Sequence, residues 1–290
     1  MSLTDDVRAS CRSIAERARL VRIDVDRLSQ LDPGEPPELD AQRHYLEGTP
    51  EEVAHFMLVL DSINFGSGWF PTLRKRHGMS GYFTVASALT DFWRVSGGWS
   101  IDELRALKAV DVAGVLGQER GHELMTLYAD ALRSLGRFLG GRRALDLVEE
   151  SGGSAERLAA MLAAGMPFFD DAGFWKRAQI VPNDLALAGV AEFHDLDRLT
   201  IFADNLVPHV LRVEGVLVYD ADLAARIDAG DLLPPGEEER EIRACAVHAC
   251  ELLSARLGVP ARVLDASLWT KGQAPKYKSV PRHRTRTVFY

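Results

Sequence analysis

Apolar residues recur every three or four positions through most of this chain. That spacing constrains the fold more than any other feature, because it gathers them on one face of a 3.6-residue helix. Residues 4–28 set Val7, Cys11, Ile14, Ala15 and Ala18 in this register. The Pro-rich stretch DPGEPPELD (residues 32–40) breaks it. Thr49-Pro50-Glu51-Glu52 then predicts a helix start, with Thr as N-cap and Pro at the first helical position, and Val53, Phe56, Met57 and Leu60 as the apolar face. The two Gly and the Pro of INFGSGWFP end that helix. Further helices are expected over 81–93, from Ser100 (Ser followed by Glu103, a capping-box pattern), over 121–139, over 154–166 and over 174–190, where Pro182 interrupts. Helices over 220–229 and 237–257 complete the pattern, and residues 263–269 follow a Gly-Val-Pro turn. LRVEGVLVYD (residues 211–220) is the best strand or hairpin candidate. No βαβ rhythm and no solenoid repeat is present. The expectation is a mainly α protein, a single compact helical domain over residues 1–290 with at most a small β element.

Charge and cysteine usage narrow the function classes. With 34 Lys and Arg against 42 Asp and Glu, the net charge of −8 disfavours nonspecific nucleic-acid binding. The sparse cysteines Cys11, Cys245 and Cys250 point to reduced thiols in a cytosolic protein. No CxxC pair or HExxH motif suggests a metal. The acidic start MSLTDDVRASC is no standard signal peptide, and no stretch approaches the roughly 20 apolar residues of a membrane helix. GxSxG, P-loop and Rossmann glycine patterns are absent, so no cofactor is expected.

The chemistry-bearing residues lie in turns and at helix ends. Asn64, Phe65, Trp69 and Phe70 flank one turn, Phe174-Trp175-Lys176-Arg177 opens a helix, and Asp265 and Trp269 stand four apart. In LTIFADNLVPHVL (residues 199–211), Phe202 and Asp204 precede Pro208. Taken one at a time these residues are ordinary: the aromatics read as core, Lys176-Arg177 as a solvated face, His44 as a surface or capping His, Asp265 as a turn cap and Asp204 as a helix N-cap. Taken together they are the parts of a nucleotide pocket. Aromatics stack on a base, a carboxylate accepts the paired N–H groups of a guanine-like edge, and a helix start with Lys and Arg holds a phosphate. The last 20 residues carry six Lys or Arg and no Asp or Glu, a second phosphate candidate in Arg282, Arg284 and Arg286, or else a counterweight to the acidic stretch 228–241.

INF-x3-W (residues 63–69), FWKRAQI (174–180), LTIFADNLVPHVL, EIRACAVHACELL (241–253), LDASLW (264–269) and the ending HRTRTVFY together resemble the queuosine salvage proteins. The resemblance implies a mainly helical fold similar to the helix-hairpin-helix DNA glycosylases. It also implies hydrolysis of the N-glycosidic bond of queuosine 5'-monophosphate, releasing queuine for tRNA modification. By this resemblance Asp265 matches the catalytic carboxylate, Phe202 and Asp204 match base-contacting positions, and His44 looks like a queuine contact. Trp269 and Trp69 are candidate walls of the base site, Asn64 a further contact, and Lys176 and Arg177 candidate phosphate ligands. Family members often carry Tyr and Asp where this chain has Ala266 and Thr270, and here INF is followed by GSG. Neither metal nor cofactor is expected, the location expected is cytoplasmic, and direct contact with nucleic acid or membrane is not expected. The competing readings are a DNA or RNA base glycosylase and a nucleotide-binding protein without catalysis.

Overall fold

The computed structural model describes residues 2–290. They form fifteen α-helices and one two-stranded sheet. In chain order these begin with α1 (Leu3–Ala15), β1 (Val21–Ile23), α2 (Val25–Gln30), α3 (Pro50–Ser62), α4 (Gly81–Ser96), α5 (Ile101–Ala106), α6 (Ala109–Leu116) and α7 (Glu123–Leu139). There follow α8 (Ala144–Glu150), α9 (Ala155–Gly165), α10 (Lys176–Leu187), α11 (Val207–Val213), β2 (Leu217–Tyr219), α12 (Ala221–Asp228), α13 (Glu237–Leu257), α14 (Ala261–Lys271) and α15 (Pro275–Lys278). The mainly α expectation with a small β element is therefore met. The chain divides into two units, one comprising residues up to Pro37, Ala172–Lys176 and Asp197–Thr287, the other Glu38–Asp171, Arg177–Leu196 and Val288–Tyr290.

The first unit is built on α13. Three Glu in its first turn complement the helix dipole, and Gly258, at φ 67, takes the left-handed conformation that ends it. Its middle turns carry small and apolar residues on every side (Ile242, Ala244, Cys245, Ala246, Val247, Ala249, Cys250), so it is buried by its neighbours all round. α1 packs along it through Val7 and Cys11, with Arg8 bonded to Glu251 at 2.8 Å, and α11, α14 and β1 close the other sides. Two expectations shift here. The helix over 4–28 stops at Ala15, and Val21–Ile23 pairs antiparallel with Leu217–Tyr219, Val21 opposite Tyr219. The strand candidate 211–220 contracts to Leu217–Tyr219, because Pro208 enters the first turn of α11 where its missing N–H is not needed, and the helix carries on to Val213.

In the second unit α7 is central, buried through Leu124, Tyr128, Leu132 and Leu135 against α3, α5 and α6. Thr49 with Glu52 and Ser100 with Glu103 both form the reciprocal capping boxes their spacing predicts. α10 runs unbroken through Pro182. The turn after α3 depends on Gly66, whose φ is 99 and where a Cβ would meet Leu124 Cδ1 at 2.6 Å. The three cysteines are buried and form no disulfide among the described residues. No helix among the described residues is long and apolar enough to cross a membrane.

Candidate active site

In the first unit, the chain between Leu199 and Leu206 has no regular secondary structure and is buried along most of its length. Buried irregular backbone must find its hydrogen bonds elsewhere, and here successive residues do so. The Phe202 N–H donates to Asp265 Oδ1 at 2.8 Å. The Ala203 carbonyl accepts from Arg243 Nε at 2.9 Å. Asp204 Oδ1 accepts from the N–H groups of Leu206 at 2.7 Å and Val207 at 3.3 Å, and so starts α11. Asn205 Nδ2 donates to the His283 carbonyl at 3.2 Å.

Phe202 and Asp265, two of the residues singled out in the sequence, are thus brought together by a direct bond, and Asp204 follows two residues later in the same segment. Asp265 is 6% exposed and lies inside α14, not at a turn, with the half-buried Trp269 one turn further along the same face. Its negative charge, together with burial, pushes the Cys250 thiol above its ordinary pKa, burial being the larger cause. Asp204 is half-buried; the N-cap of α11 is Leu206, and Asp204, two residues ahead of it, is not the N-cap its local sequence suggests but holds the backbone N–H groups at the helix entry. Only Oδ1 accepts these bonds; Oδ2 has no hydrogen bond to any described residue, so backbone bonding and ligand contact are compatible in one carboxylate.

Arg243 was not foreseen. It is 2% exposed, its guanidinium lies 3.9 Å from the centre of the Phe174 ring, and it pairs with Glu239 one turn back at 3.3 Å. The signal was present in EIRACAVHACELL: a helix with small and apolar residues on all sides is buried, so a charge within it must be paired and must hold something. Lys176 is buried as the first residue of α10, directly after Trp175, whose φ of 46 is unusual for a bulky side chain. The basic tail runs against residues 230–233, with the Leu233 N–H donating to the Arg284 carbonyl at 2.9 Å and the Arg284 side chain to the Gly230 carbonyl at 2.6 Å. These contacts run to backbone groups of Gly230 and Leu233. Within the tail His283 is 1% exposed with neither ring nitrogen hydrogen-bonded, and burial, with the nearby His209, Arg282, Arg243 and Arg212, pushes its pKa down to about 3.

The remaining predicted residues belong to the second unit. His44 is buried, not at the surface; its Nδ1 lies 3.0 Å from the Asp40 carbonyl, which makes that nitrogen the donor, and its Nε2 lies 3.1 Å from the Tyr82 hydroxyl. Burial lowers its pKa against the opposing effect of the Asp40 contact. Asn64 is half-buried just past α3, and Trp69 donates its indole N–H to Glu123 at 2.7 Å. Arg177 is 1% exposed. Its guanidinium donates to the carbonyls of Ser62 at 2.7 Å, Val288 at 2.6 Å and Phe168, and lies between the rings of Phe65 and Phe169. Burial pushes its pKa down to about 9 against the raising influence of Asp171 and Asp61. Arg177 is therefore no solvated face: its fork is occupied by backbone carbonyls of its own unit. Among the described residues no group of His, Cys, Asp and Glu side chains could hold a metal ion.

Comparison with known proteins gives a consistent result. The profile of the family described as queuosine salvage protein matches residues 43–290. A queuosine 5'-phosphate N-glycosylase/hydrolase of Sphaerobacter thermophilus is 32% identical, the match covering 98% of this chain and 97% of that protein. The Bos taurus protein of the same name is 28% identical over 98% of each chain, and that of Dictyostelium discoideum 39% identical over 40% of each.

Proposed function

The chain belongs to the queuosine salvage protein family, and we propose that it hydrolyses the N-glycosidic bond of queuosine 5'-phosphate to release queuine. The observation that carries this reading is the 2.8 Å bond from the Phe202 N–H to Asp265 Oδ1, which sets a buried carboxylate against the segment read as base-binding. Cleavage of an N-glycoside passes through an oxocarbenium-like ribose, with positive charge developing at C1' and the ring oxygen. A fixed carboxylate stabilises that charge more than it stabilises the neutral ground state, and this is the role of Asp265. Queuine is a 7-deazaguanine, with carbon at position 7 where guanine has a proton-accepting nitrogen. Protonation there cannot assist departure, so the base must be held and stabilised through its other edges. Asp204 Oδ2 accepts N–H groups of the guanine-like edge, while Oδ1 stays on the α11 backbone. Phe202 stacks on the base, and Trp269 on the Asp265 face of α14 walls it.

In this reading the protein is cytoplasmic, residues 1–290 form one glycosidase domain, and the substrate is the free nucleotide, in keeping with a net charge of −8. The test is incubation of the purified chain with queuosine 5'-phosphate, followed by chromatography for free queuine. No release of base above the uncatalysed rate would overturn the proposal.

A further inference from the structure

We propose that Arg243 is a positioning residue: it sets the geometry of the base-binding segment through the Ala203 carbonyl, and so governs substrate affinity and not the bond-breaking step. The inference rests on the reading of Phe202 and Asp204 as base contacts.

Ala203 lies between those two residues, and its peptide carbonyl is the group that Arg243 Nε holds at 2.9 Å. The Ile201–Phe202 peptide, two earlier, is held from a different helix, by Asp265 accepting the Phe202 N–H at 2.8 Å. One side chain from α13 and one from α14 thus fix the two peptide planes that flank the Phe202–Ala203 peptide. The Phe202 Cα belongs to the first of these planes and the Asp204 Cα to the second, so both side chains project from backbone that is held in place. Arg243 is itself fixed from two further directions, by Phe174 beneath its plane at 3.9 Å and by Glu239 at 3.3 Å. A planar guanidinium can lie flat on a ring, meet a carboxylate and present Nε edge-on to a carbonyl at the same time. A Lys ammonium cannot, because its donors are not coplanar with a ring-stacking surface. Nothing in this arrangement places Arg243 beside the ribose, so its loss should appear in binding.

The test compares wild type, Arg243→Lys and a stability control on the same helix, Leu253→Ala, which empties a fully buried core position. Queuosine 5'-phosphate turnover gives KM and kcat, and amide hydrogen exchange gives the protection of the Phe202, Leu206 and Val207 N–H groups. The expected result for Arg243→Lys is a KM raised about tenfold with kcat within about twofold, together with faster exchange at those three amides. Leu253→Ala is expected to lower Tm while leaving KM unchanged. A KM rise of equal size in Leu253→Ala would make the effect one of general stability and overturn the inference. Unchanged exchange in Arg243→Lys would overturn it as well. A wild-type protein that releases no base refutes the glycosidase reading instead, and the exchange comparison then decides on its own whether Arg243 holds the segment.

Discussion

Replacing Asp265 by Asn removes the charge from the candidate active site while leaving an acceptor for the Phe202 N–H in place. The Asn side-chain oxygen can still accept the Phe202 N–H now bonded to Asp265 Oδ1 at 2.8 Å. What disappears is the negative charge facing the developing ribose cation. A unit charge about 4 Å from that centre, at an effective dielectric of about 20, contributes on the order of 4 kcal/mol. That corresponds to a fall of about 10³ in kcat, the upper end of what removing one preorganised electrostatic group costs in other enzymes. The carboxylate is only 6% exposed, so solvent screens little of this. KM should stay within about threefold, because the ground-state sugar is uncharged. Asp265→Ala is the informative partner. It removes charge and acceptor together, and leaves a buried Phe202 N–H unsatisfied at a cost of about 1–3 kcal/mol, which should appear as weaker queuine binding by calorimetry on top of the same loss of kcat. Quenched-time-point chromatography of released queuine supplies kcat for both. Two results would refute the reasoning: an Asp265→Asn enzyme keeping more than a tenth of wild-type kcat, or queuine affinities equal in the Asn and Ala variants.

Three further outcomes follow from the same geometry. Asp204→Asn keeps an acceptor oxygen for the Leu206 and Val207 N–H groups, so Tm should hold, but it turns one acceptor oxygen into a donor and should raise KM at least tenfold, consistent with about 1.5–3 kcal/mol for a charged hydrogen bond. Arg177→Met leaves the Ser62, Val288 and Phe168 carbonyls without their donor; urea unfolding should show a loss of at least about 3 kcal/mol, and a fully stable variant would argue against the clasp. His283 is neutral in the folded protein at neutral pH, with a folded pKa of about 3 against an ordinary 6.5. The stability associated with its neutral form is therefore present above 6.5 and lost as pH falls towards 3. Between pH 7 and 5 this amounts to about 2 kcal/mol, which His283→Leu should remove from the pH dependence of urea midpoints.

The helices were legible because their signals are local. A capping box such as Thr49 to Glu52 is contained in four residues, and the apolar face of α7 in five turns, so neither needs knowledge of the rest of the fold. The sheet was only half legible. Leu217–Tyr219 stood out by its β-branched and aromatic run, but its partner Val21–Ile23 continues a helical register, and only pairing with a distant strand pulls it out. The same limit governs the charged residues. Lys176 and Arg177 are adjacent and read as one exposed basic face, yet both are buried and they belong to different units. Whether an Arg is solvated or enclosed depends on which carbonyls reach it, and those of Phe168, Ser62 and Val288 come from three separate places in the sequence.

Asp204 shows why the choice between a structural and a functional reading of a residue can be a false one. With Oδ1 on the N–H groups of Leu206 and Val207 at the entry to α11, the carboxylate is held before any ligand arrives. A free Asp would lose rotamer freedom on binding a base; one already immobilised by its own helix start loses little. The Arg243 bond to the preceding carbonyl acts in the same sense on the backbone. These backbone bonds are thus the means by which the second carboxylate oxygen becomes a directed acceptor, and the proposed recognition of the base gains from the structural role. The test of that argument is separability. Lengthening the side chain with Asp204→Glu retains the charge but loses the short reach to the Leu206 and Val207 N–H groups, so if fixed direction matters more than charge, it should raise KM about as much as Asp204→Asn does, and a Glu variant with wild-type KM would show that charge alone suffices.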